Sequence, residues 1–190
     1  MSAGTRWGFH TLDSRWATRL VADAGIGPGD LVLDVGAGTG ALTGPLLAAG
    51  ARVIAVELHP ARAASLRVRF GSAVTVVQAD AADLRLPTRP FRVVANPPFA
   101  VSTALVRRLV APGSRLIRAD LIVPWHTARR WVEGRAPGAR RWALSFSASL
   151  GRPIPRSGVS PPPPSGVAVL VIARHHVGPG QPRGPRRRAV

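Results

Sequence analysis

Four short apolar runs end, one after another, in a polar or glycine-rich exit. Leu31–Val35 carries Asp34 and runs into Gly36-Ala37-Gly38-Thr39-Gly40, Arg52–Val56 stops at Glu57, Val74–Val77 leads to Asp80, and Phe91–Ala95 delivers Asn96. Between these runs the apolar spacing is helical. Trp16, Leu20 and Val21 share a face after an Asp13 cap, Leu42, Leu46 and Leu47 share another that stops at Gly50, and Pro60 opens a third stretch through Leu66 and Phe70. Ser102 is the expected cap of a fourth helix bearing Leu105, Val106 and Leu109. Three further apolar runs, over 121–123, 142–150 and 167–172, bring the expected strands to seven. Strands alternating with short amphipathic helices predict an α/β fold with a doubly wound, mostly parallel, Rossmann-like sheet. Ligands of such sheets lie at the C-terminal ends of the strands, which puts Asp34, Gly36, Glu57, Asp80 and Asn96 on one rim.

The chemistry of that rim narrows its ligand. Glycines let the backbone approach a bound molecule, because any Cβ would intrude. A dinucleotide site prefers Gly-x-Gly-x-x-Gly, to seat a pyrophosphate on the helix N-terminus. Here the third glycine arrives one residue early, and the Asp34 carboxylate suits a cation better than a pyrophosphate. S-adenosylmethionine, with an ammonium and a cationic sulfur, is such a ligand. Glu57 can accept from both ribose hydroxyls, and Asp80 from the adenine amino group. Asn96-Pro97-Pro98-Phe99 then offers two acceptors, the Asn96 side-chain oxygen and the Pro97 carbonyl, for an exocyclic NH2. Phe99 offers a ring on which the base carrying that group can stack.

The chain has 190 residues, enough for one domain with a real core, and no apolar run approaches the ~20 residues of a membrane span. The first residues lack the apolar segment of a secretory signal. There are no cysteines, which excludes disulfides and thiolate metal sites and fits a reducing, cytoplasmic setting. The His residues show no metal-ligand spacing, so no metal is expected. The net charge is +17, from 26 basic residues, all Arg, against nine acidic ones. Such a balance points to a polyanion, and Arg107, Arg108, Arg129, Arg130, Arg140 and Arg141 are the expected phosphate contacts. Residues 1–176 are expected to form the domain. Residues 177–190, with Arg186, Arg187 and Arg188, read as a disordered Arg-, Pro- and Gly-rich tail that can also touch RNA.

The sequence Asp34-Val-Gly-Ala-Gly-Thr-Gly40, Glu57, Asp80 and Asn96-Pro-Pro-Phe99 resembles, motif by motif and in spacing, the rRNA adenine N6-methyltransferases, and within these the erythromycin-resistance (Erm) group. Pro161-Pro-Pro-Pro164 before the last strand matches that family's proline-bearing segment. Trp7-Gly8-Phe9-His10 resembles a short actinobacterial branch. The resemblance covers roughly residues 6–174 and implies a monomeric enzyme of the S-adenosylmethionine-dependent methyltransferase fold. It would methylate N6 of an adenine in the peptidyl-transferase loop of 23S rRNA and confer macrolide-lincosamide-streptogramin B resistance. By the same resemblance His10, Leu12, Asp34, Gly36, Gly38, Gly40, Glu57, Leu58, Asp80, Ala81 and Asn96 would contact the donor. Asn96, Pro97 and Phe99 would hold the target base. Two departures stand out: Phe9, His10 and Thr11 replace the family's Gln-Asn-Phe, and the sequence carries little beyond its last strand where the family has a helical lobe. The alternatives are the related 16S rRNA adenine dimethyltransferase, a methyltransferase acting on DNA adenine N6 or a glutamine amide, and a non-catalytic RNA-binding protein that keeps the fold.

Overall fold

A computed structural model describes residues 10–164 and 166–175. The start through Phe9 and the expected tail, including Arg186, Arg187 and Arg188, lie outside the described residues. In chain order the elements are β1 (Thr11–Leu12), α1 (Ser14–Asp23), β2 (Leu31–Val35), α2 (Thr43–Ala48), β3 (Arg52–Val56), α3 (Pro60–Phe70), β4 (Val74–Val77), β5 (Phe91–Ala95), α4 (Ser102–Leu109), β6 (Leu116–Pro124), α5 (Trp125–Val132), α6 (Ala139–Trp142), β7 (Phe146–Leu150), β8 (Val159–Ser160) and β9 (Val167–Arg174). Seven strands form one sheet in the order β4-β3-β2-β5-β6-β9-β7. The ladders from β4 to β6 are parallel, and β9 runs antiparallel to both β6 and β7.

The period-2 alternation of the strands divides the core in two. Val32, Val53, Ala55, Val94 and Ile122 face α1, α2 and α3, whereas Leu33, Val93, Ala95, Leu121 and Leu170 face α4, α5 and α6. Near-continuous apolar strands such as Leu31–Val35, buried throughout, are what a sheet covered on both faces requires. Local chemistry starts and stops the helices. The Asp13 carboxylate accepts from the Arg15 amide at 3.0 Å and caps α1, and Pro60 begins α3, where its missing N–H costs nothing.

Three elements depart from expectation. Ser102 is the first residue of α4 rather than its cap; Val101 takes the cap position without a side-chain hydrogen bond. The fifth strand runs over nine residues instead of three, because Arg118 and Asp120, whose charges interrupt the apolar pattern, neutralise each other at 2.7 and 2.8 Å. The strand expected from residue 142 starts at Phe146, and Trp142 instead closes α6 and packs on Trp131 at 5.2 Å.

A second, two-stranded pairing positions the site. β1 joins β8 antiparallel, with Thr11 opposite Ser160 and Leu12 opposite Val159. This ties the residues ahead of α1 to the proline-rich connection and lays His10 across the rim of the large sheet.

Candidate active site

Parallel strands β2 to β5 bring their C-terminal ends to one edge, and the four exits meet there. The glycine turn after β2 is left-handed at all three glycines, with φ of +75° at Gly36, +58° at Gly38 and +87° at Gly40. Only glycine adopts such angles routinely. A Cβ on Gly36 would lie 3.0 Å from Pro98 Cδ and 3.2 Å from Pro97 Cα. The glycine turn and the Asn96-Pro97-Pro98 backbone are therefore in direct contact.

Asp34 is buried beneath this turn, and Thr43 Oγ1 donates to its Oδ2 at 2.7 Å. Burial pushes its carboxyl up to about 7; the Thr43 hydrogen bond works in the opposite direction, and the Glu57 charge adds to the rise. A cation placed beside a buried carboxyl this reluctant to ionise would restore its charge. The consequence for stability has a definite sign. The folded value lies above the ordinary 3.8, so this contribution is fully present below about 3.8 and is lost as pH rises through about 7. Asp34→Asn is expected to flatten that dependence and to melt above the parent protein at pH 8, each tenfold change in proton affinity being worth about 1.4 kcal/mol. Thermal melts from pH 5 to 9 measure it.

Glu57 is also buried and already engaged. Its Oε2 accepts from the Gly38 amide at 2.8 Å, and its Oε1 accepts from the His59 amide at 2.8 Å and meets the Arg62 guanidinium at 3.1 Å. Glu57, expected from sequence to accept from ribose hydroxyls, also clasps the glycine turn to β3, with acceptor capacity remaining on Oε2. Leu58 beside it is exposed. Asp80 is exposed and accepts from the Ala82 amide at 2.8 Å, while Ala81 is buried. Ala79 and Asp83, either side of Asp80, line a cleft of about 510 Å³ walled by Leu33, Ile54 and Leu84.

Asn96 Nδ2 donates to the His10 carbonyl oxygen at 2.7 Å, which fixes the amide so that Oδ1 points the other way. Oδ1 is buried and has no partner among the described residues. An unmet buried acceptor costs roughly 1–3 kcal/mol, and such a cost is tolerated where a ligand supplies the donor. Pro97 is buried and Phe99 half-buried. His10, Leu12, Asp34, Gly36 and Asn96 line one small cavity of about 20 Å³ together with Thr11 and Thr39. Sequence reading put His10 among donor contacts; the stack of its ring on Phe99, centroids 4.6 Å apart and planes 19° apart, has no local signal.

The arginines divide by helix polarity. α4 runs away from the rim, so Arg107 sits at its far end, and α6 precedes the start of β7, which places Arg140 and Arg141 at that edge too. Arg107 and Arg141 line a shared cleft of about 240 Å³ at that opposite edge. Arg108 is held by Asp83 and the Leu84 carbonyl, and Arg129 pairs with Glu133 at 2.7 Å; Arg130 is exposed. Arg15 and Arg19 on α1, which sequence reading passed over, line a cleft with Trp16 and Pro155, close in sequence to the β1–β8 pairing. Among the described residues no group of three or more His, Asp or Glu could hold a metal, and no helix is long and apolar enough to cross a membrane.

Residues 3–150 match the model of the ribosomal RNA adenine dimethylase family. The chain belongs to that family. Within it, the chain is 37% identical over 147 residues to the mycinamicin-resistance protein MyrB of Micromonospora griseorubida, covering 75% of this chain and 46% of the relative. It is 36% identical over 137 residues to the ribosomal RNA small subunit methyltransferase A of Leifsonia xyli, covering 68% and 48%. The chain spans about half the length of these curated relatives, and 57% of an rRNA adenine N-6-methyltransferase of Corynebacterium diphtheriae. In three dimensions it resembles the 23S rRNA methyltransferase ErmE, with a TM-score of 0.75 at 24% identity over 86% of this chain and 68% of that one, which shows the S-adenosylmethionine-dependent methyltransferase fold.

Proposed function

We propose that this chain transfers methyl from S-adenosylmethionine to N6 of an adenine in the peptidyl-transferase loop of 23S rRNA, as a cytoplasmic monomer, and so confers resistance to macrolide, lincosamide and streptogramin B drugs. The observation that carries the chemistry is the buried Asn96 Oδ1, anchored through its amide nitrogen and lacking a donor. An adenine amino group supplies that donor, with the Pro97 carbonyl as second acceptor and Phe99 beneath the ring. The residues present fit the methyl donor: a buried Asp34 that a cation would ionise, a turn left-handed at Gly36, Gly38 and Gly40, and a largely apolar cleft lined by Ala79 and Asp83 either side of Asp80. When bound, the donor supplies an electrophilic methyl on a cationic sulfur.

The chain's own residues then act by position and electrostatics. The adenine amino nitrogen is a weak nucleophile because its lone pair is delocalised into the ring. Two hydrogen bonds accepted from it, at Asn96 and Pro97, favour a pyramidal nitrogen whose lone pair faces the methyl. No strong base is needed, since the proton leaves after transfer. The base must first leave its stack, at lowest cost in a loop, and Phe99 replaces part of that stacking at ~1–3 kcal/mol.

The resistance reading is supported by similarity to a mycinamicin-resistance protein. A second reading, dimethylation of 16S rRNA, is supported by similarity of the same degree to small-subunit methyltransferases. Methylating protein-free 16S and 23S transcripts side by side, with primer extension to map the base, separates them. The proposal expects label in the 23S transcript; label confined to 16S overturns it in favour of the second reading.

A further inference from the structure

We infer that His10 is the positioning residue for both halves of the target-base clamp, a role that rests on the proposed adenine methylation. Its backbone carbonyl receives the Asn96 Nδ2 at 2.7 Å and decides which way the amide faces. With the amide turned over, Asn96 Oδ1 would face another oxygen, and the buried acceptor inside the site would become a donor. Its imidazole lies on Phe99 at 4.6 Å and 19° and covers one face of that ring. The target base is thereby left the other face, and Phe99 is held at one tilt.

The imidazole is itself fixed. Its Nδ1 lies 2.7 Å from the Pro161 carbonyl oxygen, which can only accept, so Nδ1 carries the proton and donates. The next two residues are held in the β1–β8 ladder by Ser160 and Val159. Carbonyl, ring face and ring nitrogen are thus each held by a different partner, in segments 86 to 151 residues away. A residue that served only as a donor contact has no need of the Phe99 stack or of the Pro161 tether.

The two roles differ in what they move. A donor contact changes donor affinity; a clamp-positioning ring changes the chemical step and the stacking of the base. The test uses the full chain and variants His10→Ala, His10→Phe and His10→Asn. Donor binding is followed by calorimetry, methyl transfer in single turnover, and base stacking by 2-aminopurine at the adenine mapped in the wild-type product. That analogue lacks the 6-amino group, so it reads the Phe99 half of the clamp independently of Asn96. His10→Ala is expected to slow transfer by roughly 10- to 100-fold, the scale of a small misplacement of reacting atoms. It should also brighten the 2-aminopurine signal while donor affinity stays within about twofold. His10→Phe restores a stacking ring and is expected to recover most of the rate, whereas His10→Asn, which keeps a donor for Pro161 but no ring, is not. The recovery by Phe separates positioning from a general loss of fold. Unchanged transfer in His10→Ala, or a loss that follows donor affinity alone, overturns the inference. If the wild-type chain methylates no adenine N6 while His10 still stacks, the underlying reading has failed; if it does methylate and only the His10 series is flat, the positioning role alone has failed.

Discussion

Under the proposed adenine methylation, Asn96→Ala is expected to lower methyl transfer to rRNA by at least ~100-fold in turnover, the scale seen when one preorganised hydrogen-bonding group is removed from a transition state. The fold should survive. The change removes a buried acceptor that has no partner among the described residues, and against that it removes one hydrogen bond, to the His10 carbonyl. These contributions oppose each other at ~1 kcal/mol apiece, so the melting temperature should move by only a few degrees. Asn96→Asp isolates the orientation of the amide. It keeps an inward acceptor but turns a second oxygen toward the His10 carbonyl, and it should also lose activity. Single-turnover transfer, with donor binding as a check that the glycine turn is intact, measures both.

Gly36→Ala is the second large effect, because this glycine touches both halves of the site. Its φ of +75° costs an alanine about 1–2 kcal/mol. The new Cβ, 3.0 Å from Pro98 Cδ and 3.2 Å from Pro97 Cα, must also push the tetrapeptide outward by a few tenths of an ångström. Backbone atoms take that displacement, so it reaches Asn96 Oδ1 and the Pro97 carbonyl together. We expect transfer to fall roughly 10- to 100-fold with only a modest loss of stability. Gly50→Ala is the matched control: its φ is +81° and its Cβ would lie 3.1 Å from Pro28 Cα, away from the tetrapeptide. It should destabilise the chain without a catalytic defect beyond the loss of folded protein. Denaturant melts and transfer rates measured on both variants separate the two effects.

What sequence made legible here was what is encoded locally. The four exits of β2 to β5, the Asp13 cap and the Pro60 start each depend on residues within a few positions of one another. The longer reach of β6 was hidden because Arg118 and Asp120 look like loop residues until each is seen to neutralise the other. Helix α5 was hidden because its basic face, Arg129 and Arg130, overshadowed the buried Ala128 and Trp131 beneath. Of the site, the glycine turn and the tetrapeptide could be read directly. The engagement of Glu57 with Gly38 and the stack of His10 on Phe99 could not, since they join residues 19 and 89 positions apart. The positions of the arginines were not legible either. Nearness in sequence to Asn96 does not fix nearness in space: a helix leaving the rim carries Arg107 to a cleft shared with Arg141, and Arg108 is held by Asp83 and the Leu84 carbonyl in the segment after β4.

The most direct test of the central claim is nucleoside mass spectrometry of protein-free 23S rRNA after incubation with the chain and S-adenosylmethionine. The clamp geometry predicts N6-methylated adenosine, present with the wild-type chain and absent with Asn96→Ala. Methyl groups on another base or another ring position, or N6-methyladenosine that persists in Asn96→Ala, would contradict it.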